Sequence, residues 1–415
     1  MATKTAMAQE TVRIPISNIP GGGDYTAQVH VGSQNTPANV ILDTGSSTLA
    51  IKHSVYKPTA DKNLKGTKYA QDVTYGTGGW AGPVVTTSIA MGSGADSITL
   101  QNSPMAIADD QQPHNFGNAD GILGLAYNAL NNAFDMTPIL QKRNINPALT
   151  YPWPFPVRNS SALLNQLNQS FQSLQQTDIP PYFDEVEQNG VVADRFSFYT
   201  LRSFPSAAGS NPAQNPLNQG VFVMGGGPAE TDLYTGEFVN VQVFADAWYN
   251  TNLKAVQVDG TPPVQIAPLS PADRRQMLSN SIIDSGTNAL FLAPDVMNAI
   301  MSALQKLNPD FIKAIQTATQ QREGIAANQL SLNQWPGISF ILTGDNNQDV
   351  KLTCAPMTYW QVDTPKAGQA VFQIVPNQES QSILGLPLMN NYYTVFDRTM
   401  NRTGVVSFAP IKRPN

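Results

Sequence analysis

Short runs rich in β-branched and aromatic residues, cut by clusters of Gly, Pro, Asn and Ser, recur along most of the chain. They include YTAQVHVG from Tyr25, ANVILD from Ala38, DVTYGTGG from Asp72, GPVVTTSIAMG from Gly82, DRFSFYTL from Asp194, GVFVMGGG from Gly220, YYTVFDR from Tyr392 and GVVSFA from Gly404. Such runs predict strands and hairpins, because branched and aromatic side chains suit a pleated, half-buried surface while Gly and Pro punctuate it. Helical spacing is confined to a few places. Leu163, Leu164, Leu167, Phe171 and Leu174 recur at helix period in NSSALLNQLNQSFQSLQ, and DVMNAIMSALQKL after Pro294 predicts a second helix. The stretch 131–180, rich in Asn, Gln and Pro, reads as a surface insertion without chemistry.

The pattern also contains an internal repeat. NVILDTGSSTLAI begins at Asn39 and NSIIDSGTNALFL begins at Asn280; they align without gaps. Each is followed by an Ile-Leu-Gly motif, Ile122-Leu123-Gly124 and Ile383-Leu384-Gly385. One Asp-[Thr/Ser]-Gly triplet is weak evidence, since average residue usage gives ~0.2 chance occurrences in a chain of this size. Two copies, each behind an apolar strand and trailed by the same motif, predict two similar all-β lobes that each present one carboxylate, Asp43 and Asp284.

Composition narrows the alternatives. The 415 residues, 41% hydrophobic, suffice for two or three units with sizeable cores. Only 13% of residues are charged and the net charge is −6, so neither nucleic acid nor an anionic membrane attracts this surface. No apolar run approaches the roughly 20 residues of a membrane helix. The single cysteine, Cys354, reads as a buried structural thiol, and His30, His53 and His114 lack ligand spacing. No metal and no cofactor is expected.

Two carboxylates brought face to face in a low-dielectric cleft cannot both ionise readily, so they share one proton. The ionised member can take a proton from an attacking water while the protonated one polarises a peptide carbonyl. Gly45 and Gly286 remove side chains so that substrate and water reach the acids, and Ser46 and Thr287 are placed to donate hydroxyl hydrogen bonds to them.

These motifs, with YGTGGWAG, ADGILGLAY, PYFDEVEQNGVVADRFSFYT, GVFVMGGG and YYTVFDRTMNRTGVVSF, make the chain resemble the pepsin-like aspartic proteases from about Arg13 to Pro410. The lack of cysteine pairs and of a recognisable pro-segment is similar to the bacterial pepsin homologues of the shewasin type. The resemblance implies a bilobal all-β fold with a cleft between the lobes and a few short helices. The expected boundaries are 10–228 for the lobe carrying the first Asp and the flap, and 229–410 for the lobe carrying the second. It implies catalytic roles for Asp43 and Asp284, and bonds between the two loops through Thr44 and Ser285. Substrate-binding roles fall to Gly45, Tyr75, Gly76, Thr77, Gly286 and Asn288. Where the family has a Trp anchoring the flap tyrosine this chain has Ala50, while Trp80 sits on the flap itself. Ala119 replaces a residue often aromatic, leaving a pocket either wider or filled by Phe116. Trp248 falls at an aromatic position of the cleft, or else in the core.

The expected function is an aspartic endopeptidase, monomeric, that cleaves extended polypeptides at acid pH with apolar residues flanking the scissile bond. Pepstatin-like inhibitors should block it. The alternative is a catalytically inactive binding or inhibitor protein on the same fold. The strand TVRIPIS begins at Thr11, leaving no room for a basic pro-segment, and MATKTAMAQE lacks the apolar stretch of a signal peptide. A cytoplasmic enzyme restrained by pH alone is therefore expected, with a periplasmic or secreted location as the alternative if a leader was removed.

Overall fold

The computed structural model describes residues 11–75, 78–111, 116–155, 167, 169–321 and 324–414. Among the described residues each predicted strand run contributes a strand, and the protein is a two-lobed, mainly β structure with short helices. A long sheet joins the two halves of the chain. Within it Val12–Ser17 pairs with Gln219–Met224, which pairs in turn with Arg195–Tyr199. The last strands, Tyr392–Asp397 and Val405–Pro410, continue that sheet from Arg195–Tyr199, so sequence from both ends of the chain forms one layer beneath the site.

The core of this layer is aromatic. Phe196 stacks on Phe396 with ring centroids 5.2 Å apart, and Tyr249 meets Phe396 edge-on at 4.5 Å. Buried among these rings, Arg398 donates to the Asp184 carboxylate at 2.7 Å and to the carbonyls of Leu125 and Ala126 at 2.6 and 3.0 Å. Its guanidinium also lies 4.6 Å from the Tyr127 ring centroid. Carbonyls, a carboxylate and ring faces thus satisfy a charge that would otherwise be costly to bury.

The repeat has the same architecture in both halves. Thr36–Asp43 runs parallel to Gly121–Gly124, which pairs antiparallel with Leu49–Lys52. In the second half Ser281–Ile283 runs parallel to Ser382–Leu384, which pairs antiparallel with Leu290–Leu292. The Ile-Leu-Gly strand is therefore the middle strand of each set, and the Asp turn passes over its end. Glycine is required there: a Cβ at Gly124 would stand 2.4 Å from the Ser47 nitrogen, and one at Gly385 would stand 2.3 Å from the Thr287 carbonyl oxygen.

The helix predicted after Pro294 forms as Pro294–Leu307, with Pro at its first turn and Val296, Ile300 and Leu304 buried. Most of the helix expected over 159–175 lies outside the described residues; within it Phe171 is buried. The 131–180 stretch is more than a surface insertion. Asn132–Asp135 adds to the edge of the hairpin strand Lys65–Tyr75, and Met136, Leu140, Phe155 and Phe171 pack on Ala70 at the hairpin base. Asn131, nearly inaccessible, accepts from the Thr48 hydroxyl and the Gln71 amide and donates to the Ile179 carbonyl. Polar composition misled the reading because these amides are spent on internal partners. Cys354 is buried and free, as expected for a structural thiol.

Candidate active site

Each of the two aspartates ends an apolar strand and folds its carboxylate back onto its own turn. Asp43 accepts from the Gly45 N–H at 2.8 Å and from the Ser46 hydroxyl. Asp284 accepts from the Gly286 N–H at 2.9 Å and from the Thr287 hydroxyl at 2.6 Å. Each side therefore uses a donor two residues on and another three residues on, which a tight Asp-X-Gly-[Ser/Thr] turn provides without help from elsewhere.

Thr44 and Ser285 then tie the turns to each other. The Thr44 N–H donates to the Ser285 hydroxyl at 3.1 Å, and the Ser285 N–H donates to the Thr44 hydroxyl at 2.9 Å. Their hydroxyls donate in turn across the interface, Thr44 to the Ile283 carbonyl at 3.1 Å and Ser285 to the Leu42 carbonyl at 2.8 Å. Four bonds related by an approximate two-fold thus lock the loops together, both residues being inaccessible to solvent.

The geometry assigns the two glycines a tighter constraint than access alone. A Cβ on Gly286 would lie 2.2 Å from Oδ1 of Asp43, and a Cβ on Gly45 would lie 2.9 Å from both oxygens of Asp284. Each glycine makes space for the opposite carboxylate. Burial, and then the charge of Asp284, push the Asp43 carboxyl well above its ordinary value of 3.8, against the pull of its Ser46 and Gly45 bonds.

A cleft of ≈ 650 Å³ opens over the pair. Its walls are largely apolar, with Ile41, Phe116, Ile122, Phe291 and Ile383 among them. Trp248 lines the cleft too, and its indole N–H donates to the Gly45 carbonyl at 3.1 Å; it is a cleft residue rather than a core one.

The hairpin Lys65–Tyr75 and Gly78–Ser93 reaches this cleft through Thr74. Gly76 and Thr77 lie outside the described residues, and Tyr75 is described by its backbone pairing with Gly78. Trp80, fully buried, packs with Ala50, Ala106, Phe116, Ala119 and Ile122. Ala50 and Ala119 are the hollow into which the hairpin inserts its own Trp, with the Phe116 ring centroid 6.5 Å from that of Trp80. Phe116 sits at φ 60, a left-handed conformation unusual for a bulky residue, and so turns its ring into the cleft wall. Asn288 is not among the cleft-lining residues described; its amide nitrogen stands 2.9 Å from where a Gly23 Cβ would be.

Sequence reasoning missed Asp24. It follows three glycines and precedes the strand Thr26–Val31, which pairs with the strand carrying Asp43, and it lines the same cleft. The sole sequence signal was that acid set on a Gly-Gly-Gly turn.

An apolar cleft over two cross-braced aspartate turns, on two lobes of the same strand arrangement, defines a pepsin-like aspartic protease. The sequence profile of the eukaryotic aspartyl protease family matches residues 24–147 and 167–410, and the chain belongs to this family. It is 26% identical to pepsin-2B of Gadus morhua over 93% of this chain and 96% of that protein. Cathepsin E of Aquarana catesbeiana is 24% identical over 94% of this chain and 79% of its own length. Pepsin A of Sus scrofa is 22% identical, covering 93% and 82%.

Proposed function

We propose that the protein is an endopeptidase that hydrolyses extended polypeptides at acid pH, with apolar residues flanking the scissile bond. The observation that carries this reading is the shared pocket of Asp43 and Asp284, each held by one backbone N–H and one hydroxyl of its own turn. Both acids are nearly buried, and burial with the neighbouring charge raises the Asp43 carboxyl, so the pair retains one common proton across the acid range.

The ionised member of the pair then takes a proton from a water as the water oxygen bonds to the peptide carbon, while the protonated member gives its proton to the carbonyl oxygen. As the tetrahedral intermediate collapses, the member that took the water proton passes it to the amine nitrogen, the C–N bond breaks, and a hydroxyl proton returns to the other member. The starting protonation state is thereby restored. Apolar walls such as Ile41, Ile122 and Phe291 favour apolar side chains beside the scissile bond. A pepstatin-like mimic, whose hydroxyl stands in for that water, should compete for the same pocket.

The test is a digest of a denatured protein at acid pH with the fragments sequenced. New termini flanked by apolar residues, blocked by pepstatin and lost in Asp43→Asn, support the reading. Intact substrate at every acid pH sinks it and leaves a binding protein on this fold.

A further inference from the structure

The Asp43 turn is held by its carbonyls from the chain that leaves the Ile122-Leu123-Gly124 strand. The Leu125 N–H donates to the Asp43 carbonyl at 2.7 Å and the Ala126 N–H to the Ser46 carbonyl at 2.8 Å. The carbonyls of these two donor residues are fixed in turn by one side chain from the far end of the sequence. Nη2 of Arg398 donates to the Leu125 carbonyl at 2.6 Å and to the Ala126 carbonyl at 3.0 Å. Its Nε donates at 2.9 Å to the Tyr249 hydroxyl, which itself donates to the Leu125 carbonyl at 3.0 Å. Trp248, next to Tyr249, holds a third carbonyl of the turn, that of Gly45.

The second aspartate turn is backed differently. After Gly385 the chain forms the short helix Leu386–Met389, so the Leu386 carbonyl accepts from the Asn390 N–H at 2.8 Å and the Pro387 carbonyl from the Asn391 amide at 2.8 Å. Neighbouring residues thus do there what Arg398 does for Leu125 and Ala126. The Leu386 N–H donates to the Thr287 carbonyl at 2.8 Å, but Pro387 has no N–H to match that of Ala126. Behind the two acids the repeat is broken, and the Asp43 side depends on a buried cation. A guanidinium suits that place, because its planar fork of N–H donors reaches a hydroxyl, two carbonyls and a carboxylate at once, which a compact ammonium cannot. Its Nη1 meets Asp184 at 2.7 Å and Asp194 at 3.9 Å, so the charge is balanced through a different nitrogen from the one that grips the backbone.

We propose that Arg398 is a positioning residue for the hydrolysis. It lies outside the cleft lining and acts through Leu125 and Ala126, fixing the Asp43 turn at the distance from Asp284 that a shared proton and an attacking water require. The inference rests on the endopeptidase reading and goes beyond it. Without the fork the turn shifts by a fraction of an ångström, which lowers kcat about tenfold and leaves the cleft walls, and so KM, in place.

The experiment measures kcat and KM on one peptide substrate at acid pH for the wild type, Arg398→Lys, Tyr249→Phe and Asp184→Asn, all below the lowest Tm found in parallel thermal melts. Arg398→Lys keeps the ion pair and loses the fork, so kcat should fall about tenfold or more with KM within about twofold. Asp184→Asn weakens the ion pair and leaves the bonds to Leu125 and Ala126, so the Tm should fall while kcat stays within about twofold. Tyr249→Phe, which removes the hydroxyl between Arg398 and Leu125, should lower kcat about threefold. A kcat that simply follows Tm across the three variants makes Arg398 a structural residue and overturns the proposal. Wild-type kcat in Arg398→Lys, or a change confined to KM, also overturns it. Should Arg398→Lys fail to fold, Tyr249→Phe decides, and an unchanged kcat there refutes the positioning role. Each of these results leaves the endopeptidase standing, whereas absence of cleavage by the wild type overturns both readings.

Discussion

A Cβ on Gly286 would stand 2.2 Å from Oδ1 of Asp43 and 2.6 Å from its carboxyl carbon. The glycine that closes one aspartate turn is thus the space occupied by the other aspartate, and the two acids can approach only because both turns lack a side chain at that point. Gly286→Ala should therefore lower kcat by at least about a hundredfold, since displacement of a reacting group by an ångström costs that much. Gly45→Ala, whose Cβ meets the opposite oxygens at 2.9 Å, should be milder. Equal activity of Gly286→Ala and wild type would refute the geometry.

Asp43→Asn or Asp284→Asn should each cut hydrolysis to under about one per cent of wild type, because the pair acts as a unit with one proton. Folding should survive both, as the Asn oxygen still accepts from the turn N–H while its NH2 donates to the hydroxyl oxygen, reversing that bond. Circular dichroism and a thermal melt, run beside the peptidase assay, separate loss of chemistry from loss of fold.

Ser285→Ala removes the hydroxyl that accepts from Thr44 and donates to Leu42. It leaves a buried N–H and a buried C=O unpaired, at about 1–3 kcal/mol each. The Tm should drop and kcat should fall with it, because the loops carrying the acids lose their mutual brace. Ser285→Thr, which keeps the hydroxyl, should recover most of both. Rescue by Thr but not by Ala is the diagnostic result.

Trp80→Ala empties the hollow between Ala50 and Ala119, and a Trp truncation in a core costs about 3–5 kcal/mol. Since Trp80 pairs opposite Val73 at the tip of the hairpin, KM should rise and kcat fall together as the hairpin loosens over the cleft. Ala50→Leu should destabilise by about 1–3 kcal/mol through overpacking the same hollow. Unchanged kinetics in Trp80→Ala would reduce it to a packing residue with no hold on the cleft.

Stability should fall as pH rises from about 4 to about 7. Asp24 and Asp72 are both raised from 3.8 to about 7 by burial, with the Asp284 charge a lesser cause at Asp24, and Asp43 is raised in the same direction. A folded state whose acids keep their protons longer than the unfolded chain binds more protons between those values, so base favours unfolding across that window and not beyond it. Below the window Asp61 acts in the opposite sense. Although its partial burial raises it, bonds from the Ser33 N–H and the Thr87 and Tyr56 hydroxyls hold it below 3.8, and its contribution is lost as the pH falls further. The Tm should peak in the mildly acid range, and Asp72→Asn should flatten its decline toward neutrality. Activity should fall about tenfold per pH unit above the upper apparent pKa of the Asp43–Asp284 pair.

Much of this protein follows from the order of its residues, because the features concerned are local. Alternating branched and aromatic residues between Gly and Pro clusters make strands wherever they occur, and the duplicated turn carries its own donors: Gly45 and Ser46 for Asp43, Gly286 and Thr287 for Asp284. The repeat alone therefore indicated two carboxylates in equivalent settings. What tertiary structure decided depends on atoms far apart in the chain. The reason for Gly124 and Gly385 is a backbone crossing from the Asp turn, and the reason for Gly286 is the opposite lobe's carboxylate. Ala50 and Ala119 read as missing aromatics until Trp80 is seen to fill them from a neighbouring strand. Asn131 reads as loop polarity until its three partners are in place. Asp24 is one acid among many in the sequence. It becomes a cleft residue only when the lobes close around it, since burial and proximity to Asp284 are properties of the assembled space and leave no periodicity or spacing behind.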